Sequence, residues 1–349
     1  MAAASLTVVL CASVLAAALP AQVTFLADPV DPCKPPNALI PGDVYYGNQK
    51  PNPDLPTKLR ISNGGAGLSG LVGALANAFI NYELKKNPQT TFKVEWIKGD
   101  TTETLGYLET GQADVGITYN KAAECQAMTD GVAIRREYGF RDHFYLVGPK
   151  DKNGDNPAKL KPIKGNKTEE GILEQFQKIV RTGNNPPQTG TPTRFLSRYD
   201  KSATNIKDSE LFVRIGQVPW GLAYSKWYHQ YTMYPIDALT AAALLNEYTV
   251  TDRGTWLSTN KTVTDRLTIY NQGADADPTD PLLNPAFFLA GKKSCDANKE
   301  MADKFLTWTI NEGQAVVENF RKEGSSDWLY TRAPDGAHQA IKNCSAPGL

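Results

Sequence analysis

LRISNGGAGLSGLVGALANAF, residues Leu59–Phe79, constrains the fold more than any other stretch of the chain. An apolar strand over Leu59–Ser62 runs into a glycine-rich turn, and apolar residues then recur at the spacing of one helix face. These residues are Leu68, Leu71, Val72, Leu75 and Phe79. The stretch therefore predicts a strand, a glycine turn and a helix in succession.

Strands and helices alternate along the rest of the chain. This alternation predicts the α/β class, with a doubly wound parallel sheet flanked by helices. The first region continues with a strand marked by Phe92, Val94 and Trp96, a short helix marked by Leu105 and Leu108, and a strand over Ala113–Thr118. The second region contains a helix over Ile172–Val180, strands at Arg194–Leu196, Tyr248–Thr251, Leu267–Tyr270 and Ala286–Ala290, and two C-terminal helices broken around Gly313.

The composition describes an ordinary globular protein of one large or two medium domains. The chain has 349 residues, with 37 acidic and 37 basic side chains and 41% hydrophobic residues. A balanced charge gives no surface signature for nucleic acid or for an anionic membrane. Any selectivity for an anion must therefore come from a local site.

The N-terminus resembles an export signal. Met1–Ala21 is rich in Ala, Leu and Val and ends in Leu-Pro-Ala, a small-residue cleavage pattern. A membrane anchor is the alternative, but the apolar run is short and no basic residue precedes it. We expect a secreted, soluble, monomeric product. Residues 22–56 are rich in Pro, Asn and Asp and predict an extended arm, with the ordered fold beginning near Thr57.

Cysteine usage fits an oxidising compartment. Once Cys11 is removed with the signal, four cysteines remain, which indicates two disulfides among three connectivities. We expect Cys33–Cys125, which would tie down the arm, and Cys295–Cys344, which would fasten the chain end. The spacing of Cys and His does not match a zinc site.

Three Asn-X-Ser/Thr sequons begin at Asn166, Asn260 and Asn343. Such triplets mark acceptor sites for glycosylation in secreted proteins, although they also arise by chance. They predict a glycoprotein from a eukaryotic, fungal-like source.

The glycine turn has three interpretations. Gly65-Ala-Gly67-Leu-Ser-Gly70, with Glu95 near the end of the next strand, matches the dinucleotide fingerprint. The amides around Asn63, ahead of a helix, also suit an anion, because unpaired N–H groups and the helix dipole favour negative charge. The third interpretation is a turn that is needed only for close packing of strand and helix.

Several motifs, in a fixed order along the chain, resemble a known family. They are Gly111–Gly116 (GQADVG), Arg135-Arg136 followed by Phe144–Pro149, Ser197–Thr204 (SRYDKSAT), Thr251–Thr255 (TDRGT), Pro281–Pro285 and Thr307–Gln314 (TWTINEGQ). The region from Leu59 to Trp328 resembles the tungstate-binding extracellular solute-binding proteins of the type 2 periplasmic-binding fold. The combination is more specific for the fold than for the ligand.

This resemblance implies two lobes, each a doubly wound sheet flanked by helices, that close on a small tetrahedral oxyanion. Domain 1 would comprise residues 57–147 and 272–349, and domain 2 would be the inserted residues 148–271. Hydroxyls, backbone amides and arginines would hold the anion. The candidate ligand-binding residues are Ser62, Asn63, Gly64, Gly65, Thr101, Thr102, Ser197, Arg198, Ser202, Tyr234 and Arg253.

Arg253 is the favoured arginine of this set. A plain helix cap is the alternative for Ser202, and an ion pair within its lobe is the alternative for Arg198. The sequence leaves tungstate, molybdate, sulfate and phosphate open. A phosphate that carries a proton would need a carboxylate acceptor, for which Asp200 and Asp252 are available.

Two other classes of function stay open, a dinucleotide-binding protein and a non-catalytic secreted interaction protein on a retired binding scaffold. Catalysis is not favoured, because the chain has three histidines, no G-x-S-x-G elbow and no recognisable carboxylate pair. No cofactor or metal is expected. The sequence does not indicate which transporter, if any, receives the ligand.

Overall fold

The computed structural model describes residues 33, 35, 37–150, 156–164, 170–186, 188, 190–222, 224–277, 279–322, 324, 326–334 and 344. The predicted signal peptide and the sequons at Asn166 and Asn343 lie outside these residues. Asn260 is exposed, and its Oδ1 accepts a hydrogen bond from the Thr262 amide at 2.9 Å. Within the described residues no helix has both the length and the apolar character that a membrane span requires.

Eleven strands in the described part of the chain form one continuous network of pairings. They are β1 Asp43–Tyr45, β2 Thr57–Asn63, β3 Lys93–Lys98, β4 Val115–Thr118, β5 Ala133–Pro149, β6 Phe195–Ser197, β7 Tyr228–Gln230, β8 Tyr248–Asp252, β9 Leu267–Gln272, β10 Leu283–Gly291 and β11 Thr331–Arg332.

Two lobes share this network, which confirms the predicted two-lobed α/β fold. In the first lobe β2 pairs in parallel with β3 and β4, and in the second lobe β6 pairs in parallel with β7 and β8. The expectation of a purely parallel sheet needs correction. Strands β10 and β5 are antiparallel to their neighbours, because they carry the chain between the lobes.

Strand β5 physically joins the two lobes. Its residues up to His143 pair with β10, whereas its residues from Phe144 onward pair with β8 and β9. The second half is buried on both faces, as its apolar run FYLVGP predicts for a strand covered by helices on each side. One strand therefore fixes how the two sheets meet.

Helices cover both faces of each sheet. They are α1 Gly65–Leu68, α2 Leu71–Lys86, α3 Thr101–Thr110, α4 Lys121–Thr129, α5 Ile172–Asn184, α6 Ala203–Arg214, α7 Pro235–Leu245, α8 Arg253–Ser258, α9 Lys261–Thr264, α10 Asp296–Thr309 and α11 Gln314–Asn319, with a 3₁₀ helix at Pro219–Gly221.

Each lobe has its own aromatic core. In the first lobe Phe79 packs edge-on against Phe305 with ring centres 5.1 Å apart. In the second lobe Phe176 packs edge-on against Phe212 at 4.8 Å. Edge-to-face aromatic pairs of this kind stabilise a core beyond the area they bury.

The predicted helix after the glycine turn is α2, and its apolar face is buried as expected. Leu68 is the exception, because it lies in the separate helix α1 and is 51% exposed. Gly70 has φ 92°, a left-handed conformation that glycine adopts readily, and it separates the two helices. The helical spacing of Leu68 was therefore misleading.

Part of the predicted arm belongs to the first sheet. Strand β1 pairs antiparallel with β3, with Val44 opposite Glu95, so ordered structure begins before Thr57. Gly42 N donates to Trp96 O at 2.8 Å and extends this pairing.

The disulfide pairing predicted from the sequence is wrong. The bonds are Cys33–Cys295, with Cα atoms 5.1 Å apart, and Cys125–Cys344, with Cα atoms 5.4 Å apart. Cys295 caps the N-terminus of α10, and Cys125 lies on α4. The arm and the chain end are each tied to a different helix of the first lobe, which sequence separation alone did not indicate.

Non-reduced peptide mapping should recover the Cys33–Cys295 and Cys125–Cys344 peptides. Replacing both members of either pair by Ala should lower the free energy of unfolding by about 2–5 kcal/mol, because each bond closes a long loop. Denaturant unfolding of the two double variants measures this loss. Recovery of a Cys33–Cys125 peptide would contradict the pairing described.

Candidate functional site

A cavity of about 430 Å³ lies between the two lobes. The first lobe contributes the turn after β2, the turn between β3 and α3, and the end of β4. The second lobe contributes the loop between β6 and α6, the head of α7 and the end of β8. The floor carries Asp142 and Phe144 of β5 and Asn284 of β10.

In the part of the chain that the structure describes, five helices begin at this cavity. Their N-cap residues all line it, and they are Gly64 of α1, Asp100 of α3, Ser202 of α6, Tyr234 of α7 and Asp252 of α8. The first N–H groups of a helix have no partner within it, and the helix dipole adds partial positive charge there. Such ends favour an anion, and the contribution is largest at the longer helices α3, α6 and α7.

Three of these N-caps already bond their own helices. Asp100 accepts from Glu103 N at 2.8 Å, Asp252 accepts from Thr255 N at 2.7 Å, and Ser202 accepts from Asn205 N at 3.4 Å. The alternative interpretation of Ser202 as a helix cap is therefore correct. Ser202 nevertheless lines the cavity.

Asn63 holds the turn after β2 in place. Its side chain donates to Ile117 O at 2.8 Å and accepts from Gly67 N at 3.0 Å, while Trp96 Nε1 donates to Asn63 O at 3.0 Å. Asn63 is 1% exposed. Asn63 positions the turn, and it lines the cavity together with the adjoining Gly64 and Gly65.

Within the glycine fingerprint, Gly67 serves packing in this fold. A Cβ on Gly67 would lie 2.2 Å from the Trp96 indole, whereas a Cβ on Gly65 would meet no atom within 4 Å. Glu95, the acidic residue of the dinucleotide interpretation, accepts from Thr57 Oγ1 at 2.7 Å and pairs with Arg60 at 3.6 Å. These contacts account for Gly67 and Glu95 without a nucleotide.

The structure divides the predicted hydroxyls into two groups. Thr101 lines the cavity, but Thr102 is exposed outside it. Ser62 and Ser197 are fully buried behind the wall. Ser62 Oγ lies 2.9 Å from Thr104 Oγ1, and Ser197 donates to Asp208 at 2.8 Å, so both hydroxyls are occupied within their own lobes.

Arg198 lies along the wall of the second lobe. Its Nε donates to Met233 O at 3.0 Å, and its guanidinium forms an ion pair with Asp200. The predicted alternative of an ion pair within the lobe is correct, although Arg198 also lines the cavity. Tyr199 and Lys201 have φ of 49° and 64°. Such left-handed residues other than glycine concentrate at functional sites.

Arg253, the favoured arginine, is not among the residues that line the cavity. Its Nε donates to Trp328 O at 2.7 Å, and its guanidinium lies 4.9 Å from the centre of the Trp328 ring. In this arrangement of the lobes Arg253 therefore lies beside the cavity, and its contact with a ligand stays a prediction. The guanidinium acts on the cavity through its charge, which opposes the rise that burial causes in the pKa of Asp142.

Lys98 and Asp142 are lining residues that sequence reasoning missed. The Lys98 ammonium lies 3.6 Å from the centre of the Tyr234 ring, a cation–π contact that joins the two lobes. Lys98 is the last residue of β3 and lies directly before the turn that leads to Thr101. This position at the end of a strand could have identified it as a cavity residue. Asp142 stands in a largely apolar strand, where alternation did not distinguish it from the core.

Burial raises the pKa of Asp142 well above its usual range, and the neighbouring Asp252 carboxylate raises it further. The His143 backbone amide, the Arg253 charge and the Asn284 side chain oppose this shift. Burial and the Asp142 charge also raise the pKa of Tyr119, whose phenol therefore stays protonated.

Charges that line the cavity are unequal in number. Five are carboxyl groups, those of Asp100, Glu103, Asp142, Asp200 and Asp252, and two are cations, Lys98 and Arg198. Two unit charges 4 Å apart interact by about 4 kcal/mol at an effective dielectric constant near 20. The helix ends therefore attract an anion only where the neighbouring carboxylates bond a helix N-terminus, form an ion pair or carry a proton.

A cavity between two α/β lobes, with helix N-termini along its wall, places this protein in the class of two-lobed α/β binding folds. A family model described as a PBP superfamily domain matches residues 50–312. The chain belongs to the PBP superfamily.

Similar proteins come from an archaeon and a bacterium. A Haloferax volcanii protein named "Putative ABC transporter anion-binding protein" is 29% identical over 261 residues, covering 74% of this chain and 67% of the relative. The tungstate-binding protein TupA of Peptoclostridium acidaminophilum is 27% identical over 238 residues, covering 66% of this chain and 72% of the relative. These relatives give no support to the predicted eukaryotic source.

A solved structure described as a periplasmic putative metal binding protein is also similar. It aligns with a TM-score of 0.74 at 47% identity, over 84% of this chain and 100% of that chain. Within the described residues, no group of three or more His, Cys, Asp or Glu side chains is arranged to hold a metal ion.

Gly67→Ala should lower the free energy of unfolding by about 1–3 kcal/mol or more, because its methyl group would overlap the Trp96 indole. Gly65→Ala is the matched control, since its methyl group would enter open space. Urea unfolding of both variants measures the difference. Equal loss of stability in the two variants would contradict the packing role of Gly67.

Asp208→Asn should change how stability depends on pH. Burial raises the pKa of Asp208 to about 7, although Ser197, Asn205 and Ser209 donate hydrogen bonds to it. The native state thus retains a proton that the unfolded state releases near pH 4, so stability falls as pH rises from about 4 to about 7. The variant lacks this titration. Its free energy of unfolding, relative to that of the wild type, should therefore be about 2–3 kcal/mol higher at pH 8 than at pH 5.

Urea unfolding at several pH values tests this expectation, with the exposed Asp130→Asn as control. The difference between two pH values cancels any constant cost of the amide. A wild-type minus variant difference that stays constant from pH 5 to pH 8 would disprove the titration.

Proposed function

We propose that this protein is an exported solute-binding protein that captures a small tetrahedral oxyanion, of the tungstate or molybdate type, between its lobes. The convergence of five helix N-caps on one cavity carries this proposal. Helices α3, α6 and α7 each have ten or more residues, long enough for the helix dipole to contribute at their ends. Membership of the PBP superfamily and the anion-binding names of the relatives support the same function.

The donor set is mainly neutral. Gly64 and Gly65 offer backbone amides from the first lobe, and Thr101 and Ser202 offer hydroxyls from opposite lobes. Arg198 supplies a cation that is balanced by Asp200. Many neutral donors suit a dianion, because a desolvated charge is stable only when hydrogen bonds replace its water.

Capture would proceed by closure of the two lobes. A cavity of about 430 Å³ is several times larger than one water-sized or oxyanion-sized molecule, so the anion must draw the lobes together or retain water around itself. We propose residues 57–147 plus 272–349 and residues 148–271 as the two moving domains, with the first boundary moved back to His143–Phe144, because Phe144–Val147 pair with β8 and β9 of the second lobe. The hinge would be the two crossings, at the middle of β5 and between β9 and β10.

Delivery to an ABC transporter follows from the same proposal, since one relative carries that name. We further propose that the protein acts as a monomer without catalytic activity. Glycosylation at Asn166, Asn260 and Asn343 stays a prediction of the sequence.

Tungstate, molybdate, sulfate or phosphate should raise the melting temperature of the mature protein, whereas NAD should not. A ligand at 100 times its Kd stabilises the native state by about 2.7 kcal/mol. Thr101→Val should weaken binding of the active anion by about 10–100-fold, the loss of one hydrogen bond to a charged ligand. Thr102→Val is the matched control, because its neighbouring hydroxyl lies outside the cavity.

Calorimetry of the wild type and of both variants gives the three affinities. Equal affinities in the two Thr variants would remove Thr101 from the site. A melting temperature unchanged by all four oxyanions would reject the anion-binding function and favour an interaction protein on a retired scaffold, while a rise with NAD alone would favour dinucleotide binding.

A further inference from the structure

Asp142 is a cavity carboxyl group that neither caps a helix nor belongs to the predicted ligand set. It is 5% exposed and lies on β5 close to the crossing between the lobes. Asn284 of β10 lies directly opposite it, and Phe144, two residues further along β5, lies opposite Asp252. All four residues line the cavity. Asp142 thus forms part of its floor.

The surroundings of Asp142 come from four neighbouring elements. Asp252 and Arg253, at the junction of β8 and α8, bring a negative and a positive charge. The phenols of Tyr119, after β4, and Tyr330, before β11, are also influenced by its charge. On its own strand, His143 N donates to Asp142 Oδ1 at 2.7 Å.

Asp252 and Asp142 are bonded by different groups, since Asp142 accepts from His143 N and from the Asn284 side chain, whereas Asp252 serves a helix cap. Its Oδ1 accepts from Thr255 N at 2.7 Å, and its Oδ2 accepts from Thr255 Oγ1 at 2.5 Å. Both its oxygens thus serve the cap of α8, and its negative charge faces the same cavity. A second ionised carboxylate at Asp142 would oppose both Asp252 and any bound anion.

A proton on Asp142 removes this repulsion. A protonated carboxyl group is an O–H donor, so it attracts an anion that an ionised carboxylate would repel. Tungstate and sulfate carry no proton of their own near neutral pH, and the proton must then reside on the protein. A hydrogen phosphate ion brings a proton that an ionised Asp142 can accept.

We propose that Asp142 and the bound anion share one proton, so that the ligand of this site is a tetrahedral oxyanion together with a proton. This inference rests on the proposed oxyanion-binding function and assigns to Asp142 the role of a ligand. Dianions such as tungstate are held by the Asp142 O–H, and the complex stays protonated at pH values where a solvated aspartate is ionised. The residue links affinity for such dianions to pH.

Infrared difference spectroscopy tests the protonation state directly. The wild type saturated with sodium tungstate at pH 8 should show a carboxylic-acid C=O band that disappears in Asp142→Asn. Asp130→Asn, an exposed carboxyl group outside the cavity, should keep the band. Carboxylate absorption for Asp142 in the wild-type tungstate complex would overturn the proposal.

Calorimetry supplies a second readout on the wild type. Above the pKa of Asp142, the Kd for tungstate should rise about tenfold per pH unit, because each bound dianion takes up one proton. Asp142→Asn keeps a hydrogen-bond donor without titrating, so its Kd should not change over the same pH range. A wild-type Kd that rises with pH while Asp142→Asn shows an equal rise would also overturn the proposal.

Failure of this inference differs from failure of the proposed function. Tungstate binding with an ionised Asp142 would reject the shared proton and leave oxyanion binding intact. A wild type that binds no oxyanion between about pH 6 and pH 9, as judged by the melting temperature, would reject the function and the shared proton together.

Discussion

Strand β5 imposes the constraint on which the site depends, because its hydrogen bonds belong to both lobes. One half pairs with β10 and the other half with β8 and β9. The strands that lead into α1, α3, α6 and α8 end at the cleft that this shared strand spans. Helices that follow those strands must begin there. The convergence of N-termini is thus a consequence of topology and needs no special sequence at each helix.

The topology places the positive ends of several helices at the cavity, where they attract anions. The capping residues determine how much of this attraction remains. Asp100 and Asp252 cap their own helices with carboxylates and so offset part of the positive end. Ser202 and Gly64 cap theirs without charge. The neutral cap leaves the positive end of α6 without a carboxylate of its own, while the charged caps reduce the positive charge at the ends of α3 and α8. Selectivity therefore depends on the placement of carboxylates as much as on the number of donors.

Local periodicity predicted the helices and strands well, but it does not indicate the directions of long side chains. The apolar face of α2 was correct because each of its residues depends only on neighbours three or four positions away. Thr101 and Ser202, which line the cavity, were predicted as ligand-binding candidates because helix starts carry local signals. The sequence did not indicate that the Arg253 guanidinium bonds Trp328, because Trp328 is far along the chain. Asp142 was missed for the same reason, since its significance comes from Asn284 and Asp252 on neighbouring strands.

Contacts between the lobes bear on how the cleft closes. Lys98 lies over the ring of Tyr234, which is 55% exposed, and cation–π contacts at exposed sites contribute about 0.5–1 kcal/mol. A single contact of that size shifts a two-state equilibrium by less than tenfold. It can favour one arrangement of the lobes without fixing it. Most of the free energy that holds a closed form must then come from a ligand that bonds both lobes at once, as Thr101 and Ser202 on opposite walls would allow.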